Sequence, residues 1–250
     1  MTPVFVHGIV RADAWTPRDT VGLGDPPSPV RVVAAGDLAA VVSDLPAGTT
    51  PGRREDLEAH SRVLGSVVNE TAVVPMRFGM VFDDDDELRE VLLERHASSL
   101  HEVLQSIDDC VQMTLKAFYD EEEWLADIVR ERPDIAELSA TIRNRPEIET
   151  RNARIRLGEL VARAVEQRRV VEEDAVLGRL DPLVREARAE TPRHERGVLH
   201  VHLLVPRSER PRLDATIREL SEASNGLQFR YVGPLAPWSF VDLALEAGDR

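Results

Sequence analysis

The chain has 250 residues, 42% hydrophobic and 30% charged, with a net charge of −14, the make-up of a globular protein with one large or two ordinary domains. That charge excludes nucleic acid, whose phosphates need concentrated cations; here the arginines are scattered among acids and Lys116 is the sole lysine. One cysteine, Cys110, excludes an internal disulfide and a cysteine-only metal site.

The start, Met1-Thr2-Pro3-Val4, has neither the basic region nor the apolar core of a signal peptide, and no apolar run is long enough to span a bilayer. The expected location is cytoplasmic. Val4–Val10 (VFVHGIV) is β-rich and apolar on both faces, so it predicts a central strand with His7 as a core histidine. Residues 11–29 hold Pro17, Pro26, Pro27 and Pro29 with Gly22 and Gly24, which predicts a loop. Val30–Ala35 and Leu38–Ser43 around Gly36-Asp37 predict a hairpin. Arg54–Asn69 has helical spacing, with Leu57, His60, Leu64 and Val67 on one face. A histidine on such a stripe is expected to hydrogen-bond a neighbouring strand.

Val73–Phe82 (VVPMRFGMVF) is the longest apolar run and predicts a strand bent at its proline and glycine. Arg77 in its middle either pairs with a carboxylate of the Asp83–Glu87 run or marks a surface for an apolar, acidic partner. The five acids lack the glycine and distal glutamate of a calcium loop, and they head a helix through Leu88, Leu92, Leu100, Leu104 and Ile107, where exposed amides favour acids. The order so far predicts a ferredoxin-like α+β layer with a loop in place of its first helix.

Asp108-Asp109 predicts a junction. Cys110–Tyr119 alternates as a strand. A helical insert follows over about 120–190: short helices either side of Pro133, a long Glu/Arg-rich helix from about Pro146 to Gln167 or beyond, and a further piece whose Asp181-Pro182 starts a new turn. Val198–Val205 is a strand, Leu213–Ser221 lies on a helix ending at Asn225-Gly226, and Leu227–Val232 is the last strand. The expected architecture is therefore α+β in two domains. Residues 1–109 form the ferredoxin-like layer. Residues 110–250 form a modified ferredoxin-like domain with the insert and an aromatic tail over 233–250.

Chemistry is sparse. His200 and His202 share one face of a strand and could bind zinc or transfer protons, though no third ligand can be named. A two-histidine phosphoesterase would need Ser or Thr two residues after each histidine, which His7 and His200 lack. Gly22-Leu23-Gly24 is followed by Asp25-Pro26, which bars a phosphate-binding helix start. No catalytic, cofactor or metal residue is assigned. Trp238 and Phe240, on a proline-stiffened tail, suit an anchor onto the chain's own body or onto a partner.

Four stretches carry a family resemblance: His7-Gly8-Ile9-Val10, Ala59-His60-Ser61-Arg62-Val63-Leu64, Val74–Phe82 and Val232–Val241. On these the chain resembles the gas vesicle protein L/F family (GvpL/GvpF), with His7 and Trp238 standing where the family often has tyrosine. The resemblance implies a non-enzymatic accessory protein of two ferredoxin-like domains that binds the apolar shell protein GvpA, in the cytoplasm or on the gas vesicle. Arg77, Phe78, Trp238 and Phe240 are the expected contact residues. The competing readings are an enzyme or small-ligand binder using His200 and His202, and a scaffold self-associating through the long helix.

Overall fold

A computed structural model describes residues 2–46, 48–224 and 226–242. The chain divides into two compact units. Of the described residues, the first gathers those up to 113, 204–207 and 232–242; the second holds those of 114–203 and 208–231.

The first unit is built on β1 (Val4–Arg11), which pairs antiparallel with β3 (Leu38–Asp44) on one side. On the other side it pairs with two short strands, β4 (Val74–Pro75) and β5 (Val81–Phe82). β2 (Val30–Ala35) closes the hairpin with β3, so the order is β2-β3-β1-β4. Residue pairing slips between Val6 and Gly8, leaving His7 as an extra residue in β1. Such a bulge re-aims a side chain and changes the alternation. Val4, Val6 and Ile9 accordingly share the large core with Leu88, Leu92, Leu100 and Leu104. Phe5 packs on the other face with Leu23, Leu45 and Ala59. Gly8 is required here: a Cβ would lie 2.7 Å from Val73 Cγ2 and 3.0 Å from the Val74 carbonyl oxygen.

Helix α1 (Arg54–Glu70) buries Asp56, Ala59, His60, Val63, Leu64 and Val67. Leu57, expected on the buried face, is half exposed, because the stripe follows the 56/59/60/63/64/67 spacing of a helix. Asp56 sits at its start and accepts from the Gly52 and Arg53 amides at 3.1 and 3.0 Å. The proline-rich loop is not merely a connector, since it buries Trp15 and Leu23.

The apolar run over 73–82 forms two strands in place of one. Both pair with β1, Gly8 opposite Pro75 and Phe5 opposite Val81. Between them the backbone leaves the ladder through Gly79, whose φ of 96° only glycine adopts without strain. The acidic run caps a helix as expected: Asp84 accepts from the Asp86 and Glu87 amides at 3.0 and 2.9 Å. The helix it opens is interrupted. A short α2 (Asp85–Glu87) passes into a π-helical segment (Leu88–Glu94), and α3 (Ala97–Ser106) resumes the α form.

In the second unit, β6 (Cys110–Tyr119) leads into α4 (Glu121–Glu131), α5 (Pro133–Ile142) and α6 (Glu147–Leu180). Ile128, Ile135 and Ala164 form the core of these three helices. At 34 residues α6 continues past Gln167, as the expected range allows, and takes in the piece through Val176 and Leu180, spanning about 51 Å at 1.5 Å per residue. Gly158 and Gly178 lie inside it without ending it, each with open space around a would-be Cβ. A strand that the sequence does not announce follows: β7 (Glu186–Ala189), a mostly exposed edge whose apolar positions are only two small alanines. With β8 (Gly197–Pro206), α7 (Arg210–Ala223) and β9 (Leu227–Leu235) it completes the order β7-β8-β6-β9. Counted by succession, both sheets thus run second, third, first, fourth. Of the expected helix end at Asn225-Gly226, Asn225 lies outside the described residues, as do residues 243–250 of the expected tail.

Candidate functional site

The β1 bulge aims His7 at α1. Its ring is buried, with Nε2 3.0 Å from Ser43 Oγ on β3 and Nδ1 3.1 Å from His60 Nδ1. Ser43 Oγ also accepts from the Leu23 amide at 3.4 Å. Of the two facing Nδ1 atoms one donates and the other accepts, which needs the accepting ring to be neutral. Burial, and then the neighbouring His60, lower the His7 pKa to about 3. Burial lowers that of His60 to about 4, against a partly offsetting backbone contact from Met76.

Around this pair lies a chain of rings. Phe5 meets His7, His60 and Phe78 at centroid distances of 5.0, 5.4 and 5.5 Å. His60 in turn meets Phe78 at 5.8 Å and Trp238 at 5.9 Å. The series runs from a fully buried imidazole to an indole that is 42% exposed. Trp238 is held by a short 3-10 turn, Trp238–Phe240, in which the Ser239 amide donates to Gln112 Oε1 at 2.9 Å.

Of the four expected contact residues, Trp238 is exposed, Phe78 half-buried and Arg77 exposed, with Phe78 and Trp238 each against His60. Arg77 makes no ion pair among the described residues, so it does not join the Asp83–Glu87 carboxylates. Phe240 is different: it is buried at 6% and belongs to the large core, where it fastens the turn that carries Trp238. His60, expected only to bond a strand, is the ring that joins Phe78 to Trp238. Its place on an apolar helix face was the available signal; its neighbours were not.

The second unit gathers a separate cluster. His200 and His202 project from one face of β8 with centroids 4.9 Å apart. Glu190, just past β7, brings a carboxylate oxygen to 3.3 Å from His200 Nδ1 and the other to 3.3 Å from His202 Nε2. His202 Nδ1 lies 3.0 Å from Thr114 Oγ1 on β6. The cluster faces a cleft of about 480 Å³ whose other walls include Lys116, Phe118, Arg193 and Arg230. Burial and then Lys116 lower the His200 pKa.

The sequence matches the family described as gas vesicle synthesis protein GvpL/GvpF over residues 3–242. It is 39% identical over 241 residues to gas vesicle protein F of Streptomyces sp. (strain CB03234), covering 95% of this chain and 99% of that protein. Gas vesicle protein F2 of Halobacterium salinarum is 30% identical over 84% of this chain and 79% of its own length. Among solved structures, gas vesicle protein GvpF from Anabaena sp. PCC7120 superposes with a TM-score of 0.78 at 18% identity, covering 98% of this chain and all of that one. GvpF from Microcystis aeruginosa gives 0.73 at 20%, covering 97% of this chain and all of its own. These likenesses show a shared α+β fold. No helix among the described residues is long and apolar enough to cross a membrane. With nearly the whole length matched, the chain belongs to the GvpL/GvpF family of gas vesicle proteins.

Proposed function

We propose that this chain is an F-type accessory protein of gas vesicle assembly that holds the apolar shell protein GvpA by surface contact, making and breaking no covalent bond. The F-type reading is supported by comparison within one strain, since the Streptomyces protein F shares 39% identity and protein L 28%. The observation that carries the contact reading is Trp238, an indole 42% exposed yet rigidly backed by His60. Phe78 lies within the same ring cluster, and Arg77, next in sequence, is a cation without an ion pair among the described residues. Exposed aromatics and arginines on a rigid base are the groups that dominate binding energy at protein interfaces. Phe240 acts from behind as the anchor of the turn.

The physical need is plain. A subunit made to line a gas space exposes apolar surface that must be covered until it polymerises, and a partner with a net charge of −14 keeps such a complex dispersed. Both halves are read as ferredoxin-like, a reading supported by the strand order repeated in the two sheets, with the proline-rich loop taking the place of one helix in the first.

The test is capture of purified GvpA by the full chain. Trp238→Asp is expected to weaken capture about 30-fold, corresponding to a loss of about 2 kcal/mol for a central aromatic contact, while Trp238→Phe retains most of it. Unchanged capture by a folded Trp238→Asp protein that also carries Phe78→Asp would remove this surface from the interaction.

A further inference from the structure

The Glu190–His200–His202 cluster is not used by the proposed GvpA contact, and its geometry has a meaning of its own. Glu190 is held opposite His200 in the strand ladder, its amide donating to the His200 carbonyl oxygen at 2.8 Å. Side chains opposite one another across paired strands share a face, and so do residues two apart on one strand. Glu190, His200 and His202 therefore converge by backbone register and not by chance rotamers. One ligand atom from each lies within 4.8 Å of the other two.

The two imidazole–carboxylate gaps run to different oxygens of Glu190, 3.3 Å from His200 Nδ1 to one and 3.3 Å from His202 Nε2 to the other. Donor atoms about 2.0–2.1 Å from a tetrahedral zinc ion stand about 3.3–3.4 Å from each other, so a turn of the carboxyl that points one oxygen at both rings completes the set. The second shell also fits. His202 Nδ1 lies 3.0 Å from Thr114 Oγ1, so with its hydrogen on Nδ1 the ring would donate there and present Nε2 to an ion. Metal-bound histidines are commonly oriented this way, by a bond from the ring nitrogen that does not touch the ion.

We propose that His200 Nδ1, His202 Nε2 and one Glu190 carboxylate oxygen bind a zinc ion, with Thr114 as a positioning residue. Two imidazoles and one carboxylate suit zinc better than calcium or magnesium, which prefer oxygen. Three protein ligands leave a fourth position open to the cleft. Lys116, Arg193 and Arg230 line that cleft and favour an anion there, which compensates the charge that one carboxylate leaves on the ion.

The experiment uses the full chain, stripped with a chelator, with zinc chloride as the probe in calorimetry and metal analysis after gel filtration. About one equivalent of zinc is expected to bind per chain. His202→Ala and Glu190→Gln should abolish this, Thr114→Val should weaken it about 10- to 100-fold, and the control His96→Ala, outside the cluster, should leave it unchanged. Cobalt substitution should give the visible absorption of a four-coordinate ion in the wild type and not in His202→Ala. Because Glu190 is largely exposed, Glu190→Gln keeps the fold, which far-UV circular dichroism checks. A wild type that binds no zinc overturns the proposal, as does zinc retained in full by both His202→Ala and Glu190→Gln. Loss of GvpA capture in the Trp238 variants has no bearing on either result.

Discussion

The buried His7–His60 pair makes the stability of the first unit depend on pH. The folded pKa values are about 3 and about 4, against about 6.5 in the unfolded chain. A base whose pKa is lowered by folding contributes its full stability above the unfolded value, because both states are then neutral. As pH falls below about 6.5 the unfolded rings take protons that the folded ones refuse, and stability is lost down to the folded pKa. At pH 5 an unfolded histidine gains about 2 kcal/mol from protonation, while folded His7 and His60 gain almost nothing, so the pair removes about 4 kcal/mol relative to pH 8. That is a large part of a typical domain's stability of about 5–15 kcal/mol. The assay is urea unfolding at pH 8, 6.5, 5.5 and 5, comparing the wild type with His60→Leu. The variant gives up the bond to His7 and is less stable at pH 8 by about 1–3 kcal/mol, a gap that narrows by about 2 kcal/mol on going to pH 5. Below pH 6, however, the two-histidine slope of about 2.7 kcal/mol per pH unit should fall to about 1.4, because one titrating ring is gone. A wild-type minus variant difference that stays constant from pH 8 to pH 5 would refute the claim that His60 is held neutral by burial.

Other expectations concern single side chains. Phe240→Ala, which empties a place in the large core, should cost about 3–5 kcal/mol in urea unfolding, whereas Trp238→Ala, at an exposed ring, should cost about 1 kcal/mol or less. Reversal of that order would mean that the indole, and not Phe240, fastens the turn. Asp84→Ala removes the acceptor for two helix-start amides and should lower stability by about 1 kcal/mol; Asp84→Asn or Asp84→Ser should restore most of it, and equal losses in all three would point to a role other than capping.

Much of the first unit is legible along the chain. The unbroken apolar, β-branched run of Val4–Val10, the Gly36-Asp37 turn and the acids ahead of Leu88 are local patterns, and a local pattern needs no knowledge of its neighbours. One element of the second unit is missing from the sequence reading. EARA at β7 offers only two alanines as its apolar side, because an edge strand that faces water has little to bury. The long helix α6 is legible through Gly158 to Gln167 or beyond, and it continues without a break to Leu180, taking in the piece that the sequence reads as separate. The candidate contact site was half legible: aromatic and cationic residues stand out in a chain with 4% aromatics, but burial of Phe240 and exposure of Trp238, two residues apart, cannot be read from composition.

The amino-acid order alone determined the family, through its apolar block and aromatic C-terminal segment, and most of the strands and helices, because backbone conformation answers to side chains a few residues away. Tertiary structure alone decided which distant groups meet: His7 with His60 through a one-residue bulge, His60 with Trp238, and Glu190 with His200 through strand register. Each of these depends on where two separate stretches of backbone are brought side by side. That is set by the summed packing of whole elements, and no local spacing encodes it.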